Sequence, residues 1–500
     1  MRETWPDRIA WAVIALASLA YGVCTVTVSL ASPYWMDEVL AVWTARLPSA
    51  HAVWDALGKG AEFSPPLYHL LLQKIVQFGG DNRLALRLPS ILAVYGVAWC
   101  AFALVRRRRE PMIAALAFTL CLASGLVVYA VQVRQYGLVA LCFALAAVFW
   151  DSLAAARRPW LAAGGVALML ALAIGLHFYA ILLALTFGLV ELGWTALHRR
   201  IRWPVWAALA VAGLSMLIWL PILQHVSAFN RGDTAAPYYY AHPTLRKLAA
   251  AYVGLLDGRD VILLSPLLAV SVGCVAAFVL ALRTRWTLKD LDVLAFCACL
   301  IPALIFVFAL LVSHTFNERY GVAAVLGFAL GLARCTAAVP QARWVALGAS
   351  LLLILGMVFP LHTAWLADDL RGDAALARTA PGDLPIATGN GLRFLELREN
   401  AGPEVARRLV YLIDADESEL GDPTNEHQVR RWKIIDPSLP VMSADAFLAG
   451  HPSFLVFRDP DAAAEPPSLF DPDLARVEVI GRYSSASLIR VTQGKDAAGR

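Results

Sequence analysis

Residues 9–38 read IAWAVIALASLAYGVCTVTVSLASPYWMDE. The stretch from Ile9 to Leu30 carries no charge. An apolar run of roughly 18 residues or more can cross a bilayer as one helix. This one is too long for a signal-peptide core and lacks a small-residue cleavage site, so it reads as a retained anchor. Asp37 and Glu38 follow where the chain leaves the bilayer. Carboxylates beside lipid are costly unless they lie at the interface or line a wet cavity, which makes this pair a functional candidate.

The rest of the chain supports the membrane reading. Hydrophobic residues make up 59% of it and the mean hydropathy is +0.62, well above an ordinary soluble chain. The net charge of +4 hides an asymmetry. Residues 1–362 hold 27 Lys and Arg against 16 Asp and Glu, whereas residues 363–500 hold 15 against 22. The pattern predicts a membrane domain over 1–362, with an outer-face loop at 32–86, and a small soluble α/β domain over 363–500. All eight cysteines lie in the first part, and Cys297-Ala298-Cys299 is too short for a CxxC pattern, so they read as small helix residues.

About eleven spans are expected, near 9–31, 87–105, 112–128, 137–150, 161–176, 178–197, 204–221, 263–282, 291–312, 321–338 and 342–361. Basic clusters fall at alternate ends: Arg106–Arg109, Arg157-Arg158, His198–Arg202, Arg283 with Arg285, and Arg334 with Arg343. The positive-inside rule makes these turns and the N-terminus cytoplasmic. This accounts for the basic excess without nucleic acid. Asp37, Glu38 and the tail are then extracytoplasmic. Trp35–Leu57 mixes aromatic and polar residues as an interfacial helix would, and Leu70–Phe78 is apolar but too short to span. The Pro237-Tyr238-Tyr239-Tyr240 cluster suits a headgroup-level loop. In the tail, strands are expected at 384–388, 408–413, 453–456, 477–480 and 487–491, with helices at 404–408 and 443–449.

Several outer residues are not explained by topology. Arg134, Arg319 and Arg87 stand beside spans on the side where positive charge is disfavoured. An arginine there needs an anion or a water-filled cavity, and its planar fork suits phosphate oxygens. His69, His177 and His314 lie on the same side. With Asp37 and Glu38 they could ligate a divalent cation, although no H-E-x-x-H spacing supports a metal site.

Six short pieces in this order carry a resemblance: Trp35-Met36-Asp37-Glu38, Pro65-Pro66-Leu67-Tyr68, Arg87-Leu88-Pro89-Ser90, Arg134-Gln135-Tyr136, His177-Phe178-Tyr179 and Arg319-Tyr320. They resemble the polyprenyl-phosphate-dependent membrane glycosyltransferases of the C-type fold. Within that group they are most similar to the protein O-mannosyltransferase, aminoarabinose transferase and rhizobial galacturonosyltransferase types. The resemblance implies an all-α polytopic membrane protein with a small extracytoplasmic α/β domain at its C-terminus. It implies transfer of a sugar from a polyprenyl-phosphate donor to an envelope glycan, lipid or protein, on the outer face of the cytoplasmic (inner) membrane. Asp37 would be the acceptor-side base and Glu38 a supporting acid. Arg134, Arg319 and Arg87 would hold the donor phosphate. Tyr68, His69, Tyr136, His177 and Tyr320 would position substrate or loop, and Glu38, His69 and His177 would be the ligands if a divalent cation is used. Two departures stand out: Phe63-Ser64 occupies the place of an acidic-basic pair found before Pro-Pro in some relatives, and Gln132 stands where many members have an acid.

The chemistry agrees with the resemblance. Glycosyl transfer to a hydroxyl needs a base at the nucleophile and cations at the departing oxygens. The competing reading is a secondary transporter or flippase of lipid-linked saccharides. It predicts internal repeats and midplane polar residues, whereas here the charges gather at helix ends.

Overall fold

The computed structural model describes residues 5–153, 157–234, 240–256, 272–273, 288–358, 368–413, 424–458, 475–484 and 486–493. The chain forms two compact units. The first comprises Met1–Leu30, Ser64–Leu223 and Ala241–Trp365, and the second Ala31–Phe63, Gln224–Tyr240 and Leu366–Arg500.

The first unit is helical. Its opening helix, Trp5–Ala31, is the apolar run quoted above. Thr25 returns its hydroxyl to the Tyr21 carbonyl, so this polar residue is satisfied within the helix. The next long helix, Arg83–Arg106, starts where Asn82 accepts the Ala85 N–H. Tyr21 donates to the Ile91 carbonyl at 2.8 Å and Arg87 to the Ser29 carbonyl at 2.8 Å, which joins the two helices. Pro111 and Pro159 stand in the first turns of Pro111–Ala123 and Pro159–Leu176, where a missing N–H costs nothing. Large apolar side chains such as Leu19, Leu92 and Leu168 are exposed along these helices, as lipid-facing surfaces are.

Among the described residues five helices are long and apolar enough to span a membrane: Asp7–Ala31, Arg83–Arg106, Pro159–Leu176, Phe178–His198 and Trp203–Ala228. The bent pair Asp290–Cys299 and Ile301–Ser313 makes a sixth if counted as one, and four further apolar helices are shorter. By length and composition the described residues thus support fewer spans than the eleven expected. The span expected at 263–282 lies outside the described residues except for Val272 and Gly273, as do Pro237–Tyr239, Arg283 and Arg285.

The basic clusters also bind acids at the helix ends. Arg107 and Arg108 meet Asp151, Arg202 meets Glu191, and Arg334 meets Asp292. Glu191 is fully buried and accepts the Trp150 indole N–H as well. Such pairing removes the cost of isolated charges near lipid.

Among its described residues the second unit contains helices and a six-stranded sheet in the order β3-β2-β1-β4-β6-β5. The strands are β1 Ile386–Thr388, β2 Leu409–Ile413, β3 Val441–Ser443, β4 Ser453–Arg458, β5 Ala475–Tyr483 and β6 Ala486–Gln493. β3, β2, β1 and β4 are parallel, and β6 pairs antiparallel with both β4 and β5. Parallel neighbours require crossovers. Here Gly391–Asn400 and Pro403–Arg408 connect β1 to β2, and Thr424–Ile435 precedes β3. Ala387, Val410, Leu412, Phe447, Phe454, Val456, Ile489 and Val491 form one core cluster.

The segment expected as a single interfacial helix at Trp35–Leu57 is two helices, Met36–Ala45 and Ala50–Gly58, interrupted at Pro48. Val39, Leu40, Ala41, Val42 and Ala45 are buried within the protein rather than presented to lipid.

Candidate active site

In the first unit, five of the residues singled out from sequence come together. Arg134 precedes the helix Tyr136–Ser152, and the Ser90 hydroxyl donates to its carbonyl at 2.7 Å. The turn lies close to its neighbour: a Cβ at Gly137 would sit 3.1 Å from the Ser90 carbonyl oxygen. His177 is the N-cap between Pro159–Leu176 and a single turn of 3-10 helix, Phe178–Ala180; its Nδ1 accepts the Tyr179 N–H at 3.2 Å. Arg319 and Tyr320 lie in another such turn, Glu318–Gly321, capped by the Asn317 side chain.

The Tyr136 ring is the centre of this group. Arg134 and Arg319 approach it at 5.6 and 5.7 Å from the ring centroid. His177 is 5.6 Å from Tyr136 and 4.8 Å from Tyr320, centroid to centroid. Tyr179 stacks near Tyr320 at 4.4 Å, and its hydroxyl donates to the Thr315 carbonyl at 2.7 Å. The ring face satisfies part of each cation. Burial above all, then Arg134 and Arg319, lowers His177 to about 3. The imidazole is therefore neutral, and the positive charge of the cluster belongs to the two guanidiniums. A cluster of two forked cations and neutral aromatic rings is suited to an oxyanion carried by an apolar body.

The remaining candidates are held in other ways. Arg87 is buried and donates to the Ser29 carbonyl at a helix end. His69 is fully buried, with Nε2 at 2.9 Å from the Ser64 hydroxyl, and its ring meets that of Tyr68 edge-on. Both follow from the chain entry at Pro65-Pro66, where Pro66 caps the helix Leu67–Gly79.

Asp37 and Glu38 belong to the second unit, in the first turn of Met36–Ala45. They are not equivalent. Glu38 is buried, and its carboxylate accepts the Trp35 N–H at 3.3 Å, satisfying a backbone donor at the helix start. Asp37 is only partly buried. Among the described residues no group of three or more His, Cys, Asp or Glu could hold a metal ion. Glu38, His69 and His177 thus form no such group.

Residues 64–225 match the family model for dolichyl-phosphate-mannose-protein mannosyltransferase. That segment includes Arg87, Arg134, Tyr136 and His177. The structure of ArnT from Cupriavidus metallidurans bound to undecaprenyl phosphate aligns over 96% of this chain and 97% of its own, with a TM-score of 0.60 and 15% identity. The chain has the fold of ArnT. The apo structure of ArnT aligns over 96% of this chain and 98% of its own, with a TM-score of 0.61 and 14% identity. No curated protein matches the sequence. The likeness extends over both the helical part and the tail, and the chain is similar to the polyprenyl-phosphate-dependent glycosyltransferases that its short motifs resemble.

Two features of the ArnT-like architecture had little sequence signal. Gln135 lies between Arg134 and Tyr136 and is fully buried, with no hydrogen-bond partner for its amide oxygen or nitrogen among the described residues. A polar side chain inside an apolar span edge is its only sequence cue. The second is the helix Gly391–Asn400, which holds the segment around the acidic pair; its cue is Asn390, whose side chain accepts the Arg393 N–H as an N-cap.

Proposed function

We propose that the chain is an inverting glycosyltransferase. It would move a sugar from a polyprenyl-phosphate donor to an envelope glycan, lipid or protein on the outer face of the cytoplasmic membrane. The observation that carries the reading is the pair of arginines sharing the Tyr136 ring beside a neutral His177. Two cations that both contact one ring are suited to a bound anion, and a lipid phosphate would supply one. The fold shared with an ArnT structure bound to undecaprenyl phosphate supports the same ligand class.

In this reading Arg134 and Arg319 neutralise the departing phosphate oxygens. The acceptor hydroxyl attacks the anomeric carbon, the bond from that carbon to the phosphate oxygen breaks, and polyprenyl phosphate leaves with the electron pair. Asp37 takes the hydroxyl proton. The phosphate leaves without protonation, so one carboxylate suffices. A single displacement of this kind inverts the anomeric centre, as in inverting glycosidases. Glu38 fixes the helix N-terminus through its capping bond. The N-terminus would be cytoplasmic and the α/β domain extracytoplasmic.

The test is Asp37→Asn, assayed in detergent with undecaprenyl-phosphate sugars radiolabelled in the sugar. Loss of general-base catalysis is expected to lower transfer by about 10²–10⁴-fold. Full retention of transfer would sink the assignment.

A further inference from the structure

One face of the helix Gly391–Asn400 is occupied by the backbone and side chains around the acidic pair. Glu396, Glu399 and Asn400 are spaced three and four apart, so they project from the same side of their helix. Asn400 closes two bonds with Tyr34: its Oδ1 accepts the Tyr34 N–H at 2.9 Å, and its Nδ2 donates to the Tyr34 carbonyl at 2.7 Å. Glu396 Oε1 accepts the Met36 N–H at 3.2 Å. Glu399 accepts the Trp43 indole N–H at 2.9 Å and both terminal nitrogens of Arg46 at 2.7 and 2.8 Å. The backbone just ahead of Asp37 and the far end of its helix are therefore both tied to one helix of the α/β domain.

The two ends differ in character. Asn400 and Glu396 are buried, whereas the Arg46 side chain is 36% exposed. Glu396 has further partners, since Arg393 donates to its Oε2 at 3.2 Å and Arg393 also pairs with Asp373 at 3.1 Å. Glu38 bonds the Trp35 N–H from within its own helix. Tyr34, Trp35 and Met36 thus each have a backbone group fixed by a buried side chain, and Asp37 is the next residue.

We propose that Glu396 and Asn400 are positioning residues for Asp37. They hold the backbone that sets where its carboxylate faces, so the α/β domain is part of the catalytic apparatus and not only a module for choosing the acceptor. This rests on the reading of Asp37 as the base. A misplacement of about 1 Å in a reacting group can cost on the order of 10²-fold in rate, and loss of either clamp allows a shift of that size.

The experiment uses the full chain in detergent, with undecaprenyl-phosphate sugars radiolabelled in the sugar as donor and an envelope extract as acceptor. Turnover and donor KM are measured for Asn400→Ala, Glu396→Ala, Glu396→Gln, Glu399→Ala and Asp37→Asn. Amide exchange is followed in the peptide containing residues 34–38. Asn400→Ala and Glu396→Ala are expected to lower kcat by about 10–100-fold, with donor KM within about twofold and faster exchange at 34–36. Glu396→Gln keeps an acceptor for the Met36 N–H and is expected to recover most of the rate. Glu399→Ala frees only the far end and is expected to stay within about threefold of wild type, whereas simple attachment of the domain would make it as damaging as the others. Faster exchange at 34–36 with wild-type kcat would overturn the inference, as would a rate loss that Gln at 396 does not recover. A fully active Asp37→Asn removes the base assignment and this inference with it. An inactive Asp37→Asn beside fully active Asn400→Ala and Glu396→Ala overturns the positioning role alone.

Discussion

Arg134 and Arg319 come from parts of the chain far apart in sequence, yet both guanidiniums lie against Tyr136. Both stand out in the sequence because they break the expected positive-inside pattern, a signal that needs no structure. What the sequence could not show is that Tyr136, His177 and Tyr320 join them in one cluster, because that depends on how three helix ends meet. Asp37 and Glu38 are alike as residue types, and in the sequence only the resemblance assigns the base to Asp37 and a supporting role to Glu38. The structure adds that the Glu38 carboxylate is used by its own helix, where it accepts the Trp35 N–H. For the arginines, a charge-assisted hydrogen bond is worth roughly 1.5–3 kcal/mol, about 10–150-fold in affinity. Arg134→Gln and Arg319→Gln are each expected to weaken undecaprenyl phosphate binding by about that factor. Lysine at either position is expected to recover only part of it, since it keeps the charge but loses the fork. A fluorescence titration with undecaprenyl phosphate checks this; unchanged affinity in both Gln variants would contradict a phosphate site.

Among the elements, the strands of the tail were the most legible. Alternating β-branched runs bounded by Gly, Pro and Asp placed β1, β2, β4, β5 and β6 to within a few residues. β3 spans only three residues and leaves no such pattern. The helix Gly391–Asn400 was missed for a different reason. Its apolar positions Phe394, Leu395 and Leu397 pack inward, but charged residues fill the other face and suggest a solvated loop. That polar face is the one that bonds to the acid-bearing helix. Burial, the largest influence, and Asp373 push Glu396 up from the usual 4.5 to about 7, against the opposing effect of Arg393 and the Met36 N–H. A carboxyl whose folded pKa is raised holds its proton more tightly when folded. Its contribution to stability is therefore greatest at low pH and is lost as pH rises from about 4.5 to 7. Thermal unfolding of wild type should weaken relative to Glu396→Gln as pH is raised from about 5 to 8. A wild-type minus Gln difference that does not change with pH would contradict the burial of this carboxyl.

For the whole molecule, hydropathy and charge asymmetry were enough to announce a multi-pass membrane protein with a distinct C-terminal α/β part. They could not reveal that the compact unit containing the tail also takes in Ala31–Phe63, because that grouping rests on side-chain bonds between residues more than 300 positions apart, such as Tyr34 and Asn400. Nor could they fix the number of spans, since several apolar helices are too short to qualify by length alone. The proposed transfer from a lipid phosphate draws on the ArnT-like fold and on the arginine–tyrosine cluster together. The most direct test incubates purified full-length protein with undecaprenyl-phosphate sugars radiolabelled in the sugar and with separated glycan, lipid and protein fractions of the envelope. The account predicts that label moves to one fraction, that one undecaprenyl phosphate is released per sugar moved, and that Asp37→Asn lowers both by about 10²–10⁴-fold. Release of no undecaprenyl phosphate with any fraction, from protein that binds the donor, would contradict it.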